Sequence, residues 1–223
     1  MSGLEQYVKI YNVNEKIQGQ SLLYLAAYQN NLMFVRKLIH EGADVNFKSQ
    51  TGTSILSMCS FYGFTEIVNE LLENGAIIDK SCMDRAYNGW DGHIQTSILD
   101  LFRKHGWCNV YLDDLRDIPK GFTSARTIEE AIHLIENYQV HILSLDHDLG
   151  MDDNGNLLPT GYDLVKYMCE NGLRANKIYL HTSNVVGRKA MYDTLKAAQR
   201  RGFIADDIEI YYYSITENRY SDK

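Results

Sequence analysis

Two stretches of this chain are near copies of each other. Gly19-Gln-Ser-Leu-Leu-Tyr-Leu-Ala-Ala27 aligns with Gly52-Thr-Ser-Ile-Leu-Ser-Met-Cys-Ser60, and Glu41-Gly-Ala-Asp-Val-Asn46 aligns with Asn74-Gly-Ala-Ile-Ile-Asp79. Gly19 and Gly52 stand 33 residues apart, as do Gly42 and Gly75. A unit that short cannot bury an apolar face alone and must stack on its neighbours. The local signals agree on two short antiparallel helices per unit. Small Ala26 and Ala27 allow a close approach, and Val35, Leu38 and Ile39 form a stripe at helical spacing. Asn30-Asn31 supplies the turn between the helices, and Gly42 and Gly75 sit where a helix ends with positive φ.

Leu22, Ala26, Val35, Leu38, Gly42, Ala43, Asp44 and Asn46 together resemble the ankyrin pattern. The clear repeats cover about residues 19–51 and 52–82, inside an ankyrin region of 1–107. Met1 to Ile17 is expected to add an atypical N-terminal helix. Met83 to Gly106 reads as a degenerate third repeat, because Asp100-Leu-Phe-Arg-Lys-His-Gly106 echoes Asn69-Glu-Leu-Leu-Glu-Asn-Gly75 with one residue added. Asp84, Asp91 and His93 are compatible with a metal site, but a surface loop around one packing tryptophan, Trp90, is the preferred reading. The resemblance implies a surface that docks a protein partner.

From Cys108 onward the pattern changes, and the second domain is expected over 108–223. Strands are predicted at Asn109–Asp113, Phe122–Ala125, His141–Asp146, Lys177–Thr182 and Ile208–Ser214. Thr127-Ile-Glu-Glu130 is a capping box opening a helix, Thr160-Gly-Tyr-Asp163 opens another that ends at Gly172, and Asn184 caps one running to about Arg201. This alternation predicts a parallel sheet with helices on both faces. The connection from Leu115 to Gly121 is too short for a full helix.

Open parallel sheets bind ligands at the carboxyl ends of their strands. Asp113 and Asp114 end the first strand, Asp146 and Asp148 flank His147 at the end of the third, and His181-Thr-Ser-Asn184 ends the fourth. Four carboxylates converging on one crevice repel unless a cation joins them, and a hard divalent ion such as Mg²⁺ (or Mn²⁺) is the simple solution. Helix capping could account for one or two of the four. On the repulsion argument, Asp113→Ala or Asp146→Ala should abolish ion binding and leave the fold intact or more stable.

Paired acids after strand one and another after strand three resemble the receiver domain of two-component systems. Leu112-Asp-Asp-Leu-Arg-Asp-Ile-Pro119, Leu143-Ser-Leu-Asp-His-Asp-Leu-Gly150, Thr160-Gly-Tyr-Asp163 and His181-Thr-Ser-Asn-Val-Val-Gly187, followed by Met191, are closer to a divergent branch, the cyclic-phosphate-processing receiver-like domain. The Asp-His-Asp-Leu-Gly and His-Thr-Ser-Asn elements are specific to that branch. Ordinary receivers carry a lysine at the end of strand five, but Ile210-Tyr-Tyr-Tyr-Ser-Ile-Thr-Glu217 has none, which weakens a phosphorelay reading. The resemblance implies an α/β flavodoxin-like domain with a five-stranded parallel sheet in the order 2-1-3-4-5, following an all-α ankyrin stack.

It also implies a substrate class: a cyclic phosphate, either a cyclic-nucleotide signal or a 2′,3′-cyclic-phosphate RNA end. Asp113, Asp114 and Asp146 would hold the metal, with Asp148 close by. Asp146 would thus belong to the catalytic set together with His181, the first candidate for general acid or base, and His147, the second. Ser183, Asn184 and the amides opening the next helix would receive the phosphate, with Arg116 and Arg188 neutralising its other oxygens. The alternative is a binding protein that sequesters a nucleotide without turnover. A part in the conflict between phage and bacterial defence fits either reading.

The remaining composition limits the choices. The formal charge of −7 argues against a broad nucleic-acid-coating surface, although Arg188, Lys189, Lys196, Arg200 and Arg201 form one basic run. Only Pro119 and Pro159 occur, with no low-complexity tract, so no long disordered linker is expected. Cys59, Cys82, Cys108 and Cys169 lack CxxC spacing and read as reduced thiols. No apolar h-region or membrane-spanning run is present, which points to a bacterial cytosol or an infected host cell and to no membrane partner.

Overall fold

Ser21 and Ser54, at equivalent positions of the two repeats, each open a helix. Their hydroxyls accept from the backbone N–H of Tyr24 and Ser57, both at 3.1 Å. The computed structural model describes residues 12–152 and 154–215. Among these, the first half holds α1 (Leu22–Tyr28), α2 (Leu32–His40), α3 (Ile55–Tyr62), α4 (Thr65–Glu73), α5 (Lys80–Tyr87) and α6 (Thr96–Lys104), with α1 packed on α2, α3 on α4, and α5 on α3. Strands β1 (Lys16–Ile17) and β2 (Gln20–Ser21) pair antiparallel ahead of α1. Helices α1 and α3 start 33 residues apart, as do α2 and α4.

The turn chemistry follows the sequence. Asn30 takes φ +53° and the Asn31 side chain caps α2 by accepting from the Phe34 N–H. Gly42 and Gly75 take φ of +86° and +85° just past α2 and α4. Ala26, Ala27, Cys59 and Ser60 are fully buried, while Phe34, Val35 and Leu38 form the buried stripe of α2 and Ile39 is half-buried. Asn46 joins successive repeats. Its Nδ2 donates to the Gly75 carbonyl at 3.1 Å, and its Oδ1 accepts from the Ile77 N–H at 2.9 Å. Asn14 makes the same clasp one repeat earlier, to the Gly42 carbonyl and the Asp44 N–H.

One expectation changes here, and one falls largely outside the described residues. Of the segment expected to add an N-terminal helix, residues 1–11 lie outside the described residues, and Lys16–Ile17 forms β1. Trp90 is not packed but 61% exposed, its ring tilted against Tyr62 at 6.4 Å. The loop it sits in is ordered instead by Asp91, whose carboxylate accepts from the His93 N–H and the Gln95 amide.

The chain divides into two compact units, the first running to Leu101 and the second beginning at Phe102. The second holds β3 (Trp107–Leu112), β4 (Thr123–Ala125), α7 (Ile128–Asn137), β5 (Gln139–Leu145), α8 (Gly161–Asn171), β6 (Ala175–Leu180), α9 (Val185–Arg201) and β7 (Glu209–Tyr211). All pairings are parallel and the order is β4-β3-β5-β6-β7, the 2-1-3-4-5 arrangement expected.

The expectation of helices on both faces is corrected. Side chains of α7, α8 and α9 all join one apolar cluster with Val110, Leu112, Leu143, Leu145, Ile178, Leu180 and Ile210. The reason is handedness. From β4 to β7 every crossover steps in the same direction across the sheet, and right-handed crossovers in one direction put their helices on one face. Only the step from β3 back to β4 runs the other way, and its connection forms no helix. All four cysteines are free, and burial pushes the Cys82 and Cys108 thiols up to about 12. Among the described residues no helix is long and apolar enough to cross a membrane.

Candidate functional site

Parallel register builds the site. Leu112 pairs with Leu145, and Leu145 with Leu180, so three adjacent strands end level with one another. The next residues, Asp113, Asp146 and His181, are therefore neighbours. The ladder continues through them, with Asp146 N–H donating to the Leu112 carbonyl and His181 N–H to the Leu145 carbonyl, both at 2.9 Å. Because the leucines point into the apolar cluster, alternation turns the following side chains to the opposite face, with Tyr111 and Ser144. Asp113, Asp146 and His181 each offer a ligand atom within 4.8 Å of the others, the group of this kind found among the described residues.

Asp113 is 1% exposed and saturated with donors. Its Oδ1 accepts from the backbone N–H of Leu115 and Arg116 at 2.9 and 2.6 Å, and its Oδ2 from Arg116 Nη1 at 2.6 Å and His181 Nε2 at 3.0 Å. Burial pushes its carboxyl up, but the bonds from Arg116, Leu115 and His181 outweigh that and hold it below the usual carboxylate range. The same Arg116 Nη1 reaches Asp146 Oδ2, again at 2.6 Å. One guanidinium nitrogen thus bridges the two carboxylates. Arg126 holds this loop from outside by donating to the carbonyls of Asp113 and Arg116.

His181 is fixed on three sides. Its Nδ1 faces the Ser144 hydroxyl at 2.8 Å, its Nε2 faces Asp113, and its ring stacks on Tyr111 at 4.4 Å and 7°. An ionised Asp113 can only accept, so Nε2 carries the proton and the Ser144 hydroxyl donates to Nδ1. Burial lowers the affinity of this imidazole for a second proton more than Asp113 and Asp146 raise it. The ring is neutral at pH 7, with both nitrogens engaged.

His147 has left the sheet, since β5 ends at Leu145. The chain has turned, and His147 Nδ1 meets Asp148 Oδ1 at 2.7 Å. The bond from His147 holds the Asp148 carboxyl below its ordinary range; burial opposes it, and the Asn184 bond adds to it. Two glycines make this approach possible. A Cβ on Gly161 would lie 1.9 Å from the Asp146 carbonyl oxygen, and one on Gly187 would lie 2.3 Å from Cδ2 of His147. These glycines bring the first turns of α8 and α9 against the third strand's end.

A cavity of about 320 Å³ opens here, lined by Asp113, Asp114, Leu115, Arg116, Asp146, Asp148, Gly150 and Ser183. All four expected aspartates reach it, and so do Ser183 and Arg116. Neither His147 nor His181 lines it. Asn184 faces Asp148 through its Nδ2 and caps α9 by accepting from the Gly187 N–H at 2.8 Å, so that amide is taken. Arg188 lies elsewhere: it donates to the Thr182 carbonyl and sits 5.6 Å over the ring of Tyr212. Lys189, in the same basic run, pairs with Asp193.

The carboxylate oxygens are a suitable donor set for Mg²⁺ or Mn²⁺, whereas the imidazole, with both nitrogens engaged, braces Asp113. The point between Asp113 and Asp146 already draws a cation, the Arg116 guanidinium, and the donors therefore fit a positive ion. The tight group differs from the expected ligand set, since it contains His181 and leaves Asp114 and Asp148 on the cavity wall. Sequence reasoning did not find Tyr111, Ser144 or Arg126. The alternation that places Tyr111 with Asp113, and Ser144 with Asp146, was the available signal.

Residues 108–197 match the family model described as the cyclic-phosphate processing receiver domain, and residues 3–84 match the model described as ankyrin repeats in three copies. Among solved structures, the ankyrin repeat domain of human ASB11 is similar at 21% identity, covering 45% of this chain and 47% of that one, with a TM-score of 0.40. The ankyrin repeat domain of Bcl-3, a member of the IkappaB family, is similar at 25% identity, covering 45% and 43%, with a TM-score of 0.34. The match spans less than half the length of either structure. No curated protein matches the sequence.

Proposed function

We propose that this chain, which joins ankyrin repeats to a cyclic-phosphate processing receiver domain, is a metal-dependent phosphoesterase that opens a cyclic phosphate while its repeats dock a protein partner. The supporting observation is the 320 Å³ cavity at the carboxyl edge of the sheet, whose wall carries four aspartates. The substrate class comes from the family match; it is a cyclic-nucleotide signal or a 2′,3′-cyclic-phosphate RNA end.

In this reading Asp113 and Asp146 hold Mg²⁺ or Mn²⁺, with Asp114 and Asp148 on the cavity wall and His181 behind Asp113. The bound ion supplies a Lewis acid for a phosphoryl oxygen and lowers the pKa of a water. Ser183 donates to the phosphate from the cavity wall. The proton-transfer role passes from His181 to His147. His181 is buried with both nitrogens engaged, so it orients Asp113, whereas His147 is held by Asp148 through Nδ1 and keeps Nε2 for a proton. Arg188, bonded to a backbone carbonyl away from the cavity, is dropped from the phosphate set.

A second reading is a sequestering protein that binds the phosphate without turnover. It is favoured by one observation: no histidine lines the cavity. Purified protein with Mg²⁺ or Mn²⁺, assayed against cyclic nucleotides and RNA ends bearing a 2′,3′-cyclic phosphate, separates the two. Turnover that falls about 10²–10⁴-fold in His147→Ala, with ligand affinity within about tenfold, supports the esterase. Tight binding with no turnover in the parent supports sequestration.

A further inference from the structure

Arg116 stands where a bound cation would stand, and the way it is held differs from the way its partners are held. Asp113 keeps its place without the guanidinium, through the Leu115 and Arg116 backbone amides and His181. Asp146 is likewise tied by the His147 N–H at 2.7 Å. The arginine side chain is 44% exposed, against 1% and 10% for the two carboxylates. Of the three groups it is the one free to move. Its backbone is nevertheless fixed, since the Arg116 amide donates to Asp113 and its carbonyl accepts from Arg126. A swing of the side chain would leave its root at the cavity and its guanidinium at the mouth.

We propose that Arg116 is a tethered cation that holds the seat between Asp113 and Asp146 until a divalent ion takes it, and that the released guanidinium then binds the phosphate in the same cavity. This rests on the reading of the cavity as a metal-dependent phosphate site. Two cations cannot share a seat in which one nitrogen already lies 2.6 Å from both carboxylates. An empty seat would leave two carboxylates facing each other with nothing between them, which the arginine prevents. Once displaced, the planar guanidinium suits a phosphate through two parallel N–H donors. Ion and phosphate therefore bind cooperatively, and each raises the affinity of the other by the same factor.

The full-length protein is titrated by calorimetry with MnCl₂, and then with inorganic phosphate at saturating Mn²⁺. Arg116→Gln should bind Mn²⁺ about fivefold more tightly than the parent, because a competing partly exposed ion pair worth about 1 kcal/mol is gone. The same variant should bind phosphate about tenfold more weakly. A damaged fold would weaken both, so opposite shifts identify the switch. Arg116→Lys keeps the charge and loses the fork; it should leave Mn²⁺ affinity near that of the parent and still weaken phosphate binding. Should Arg116→Gln bind Mn²⁺ no more tightly than the parent, the competition is overturned. Unchanged phosphate binding in both variants overturns the second half. If neither parent nor variants bind Mn²⁺ or Mg²⁺, the reading of the cavity as a metal site falls together with the switch.

Discussion

Asp113 accepts four hydrogen bonds while almost fully buried, and this reverses what the sequence suggests about its removal. Repulsion among the acids predicts a gain of stability when one is deleted. In the structure Arg116 already relieves that repulsion, and deleting Asp113 leaves a buried imidazole N–H and two loop amides without their acceptor. Asp113→Ala should lower stability by about 2–3 kcal/mol at pH 7, read from the shift of a urea transition. A neutral or stabilising effect would contradict the bonding described. Acid should act in two windows in metal-free protein. Folding depresses the His181 pKa below 6.5, so the unfolded chain takes up the proton first. Stability is fully present above about pH 6.5 and falls as pH drops through the folded value. Asp113 is depressed below 3.8, so its contribution is present above that value and is lost at lower pH. His181→Gln should flatten the first window and keep the second in a series of urea midpoints against pH.

Elements meet at this site because two glycines let them. A methyl on Gly187 collides with the His147 ring, and helix α9 cannot rotate it away without moving the Asn184 cap. Gly187→Ala should displace His147 and reduce turnover of a cyclic phosphate about 10²-fold. Its Mn²⁺ affinity should stay within about threefold of the parent, since His147 lies outside the group of Asp113, Asp146 and His181. A comparable loss in both measurements would mean that the glycine supports the whole strand end. In the first unit the repeats depend on the Asn46 clasp as well as on apolar stacking. Asn46→Ala removes both bonds to the next repeat and should cost about 1–2 kcal/mol in a thermal or urea transition.

For the whole molecule the charge is the relevant quantity. A chain of formal charge −7 repels polyanions over about a Debye length, ~8–10 Å at physiological salt. On the esterase reading, a small cyclic phosphate entering the 320 Å³ cavity would meet the local cation, whereas the rest of a long RNA would meet a net negative protein. Among 2′,3′-cyclic-phosphate substrates, kcat/KM should therefore stay level or fall as the oligonucleotide lengthens, and the fall should shrink as salt is raised. A rise with length would show that the basic run on α9 guides the strand.

The repeat period, the turns at Asn30 and the glycines, and the five strands could all be read from the chain, because each depends on residues near one another in sequence; the strand order came from the family resemblance. The same holds for the acids at the strand ends, since a strand's end is a local event. Other features came only from the tertiary structure. Pairing register levels Leu112, Leu145 and Leu180 and so brings Asp113, Asp146 and His181 together across 68 positions of sequence. Crossover direction puts α7, α8 and α9 on one face. Arg116 looked like a group waiting for phosphate, yet its strongest partners are carboxylates from two different strands. His181 looked like a free base, yet Ser144, Tyr111 and Asp113 enclose it. A charge in a sequence has no neighbours until the sheet closes, and those neighbours decide whether it serves as ligand, base or counterion.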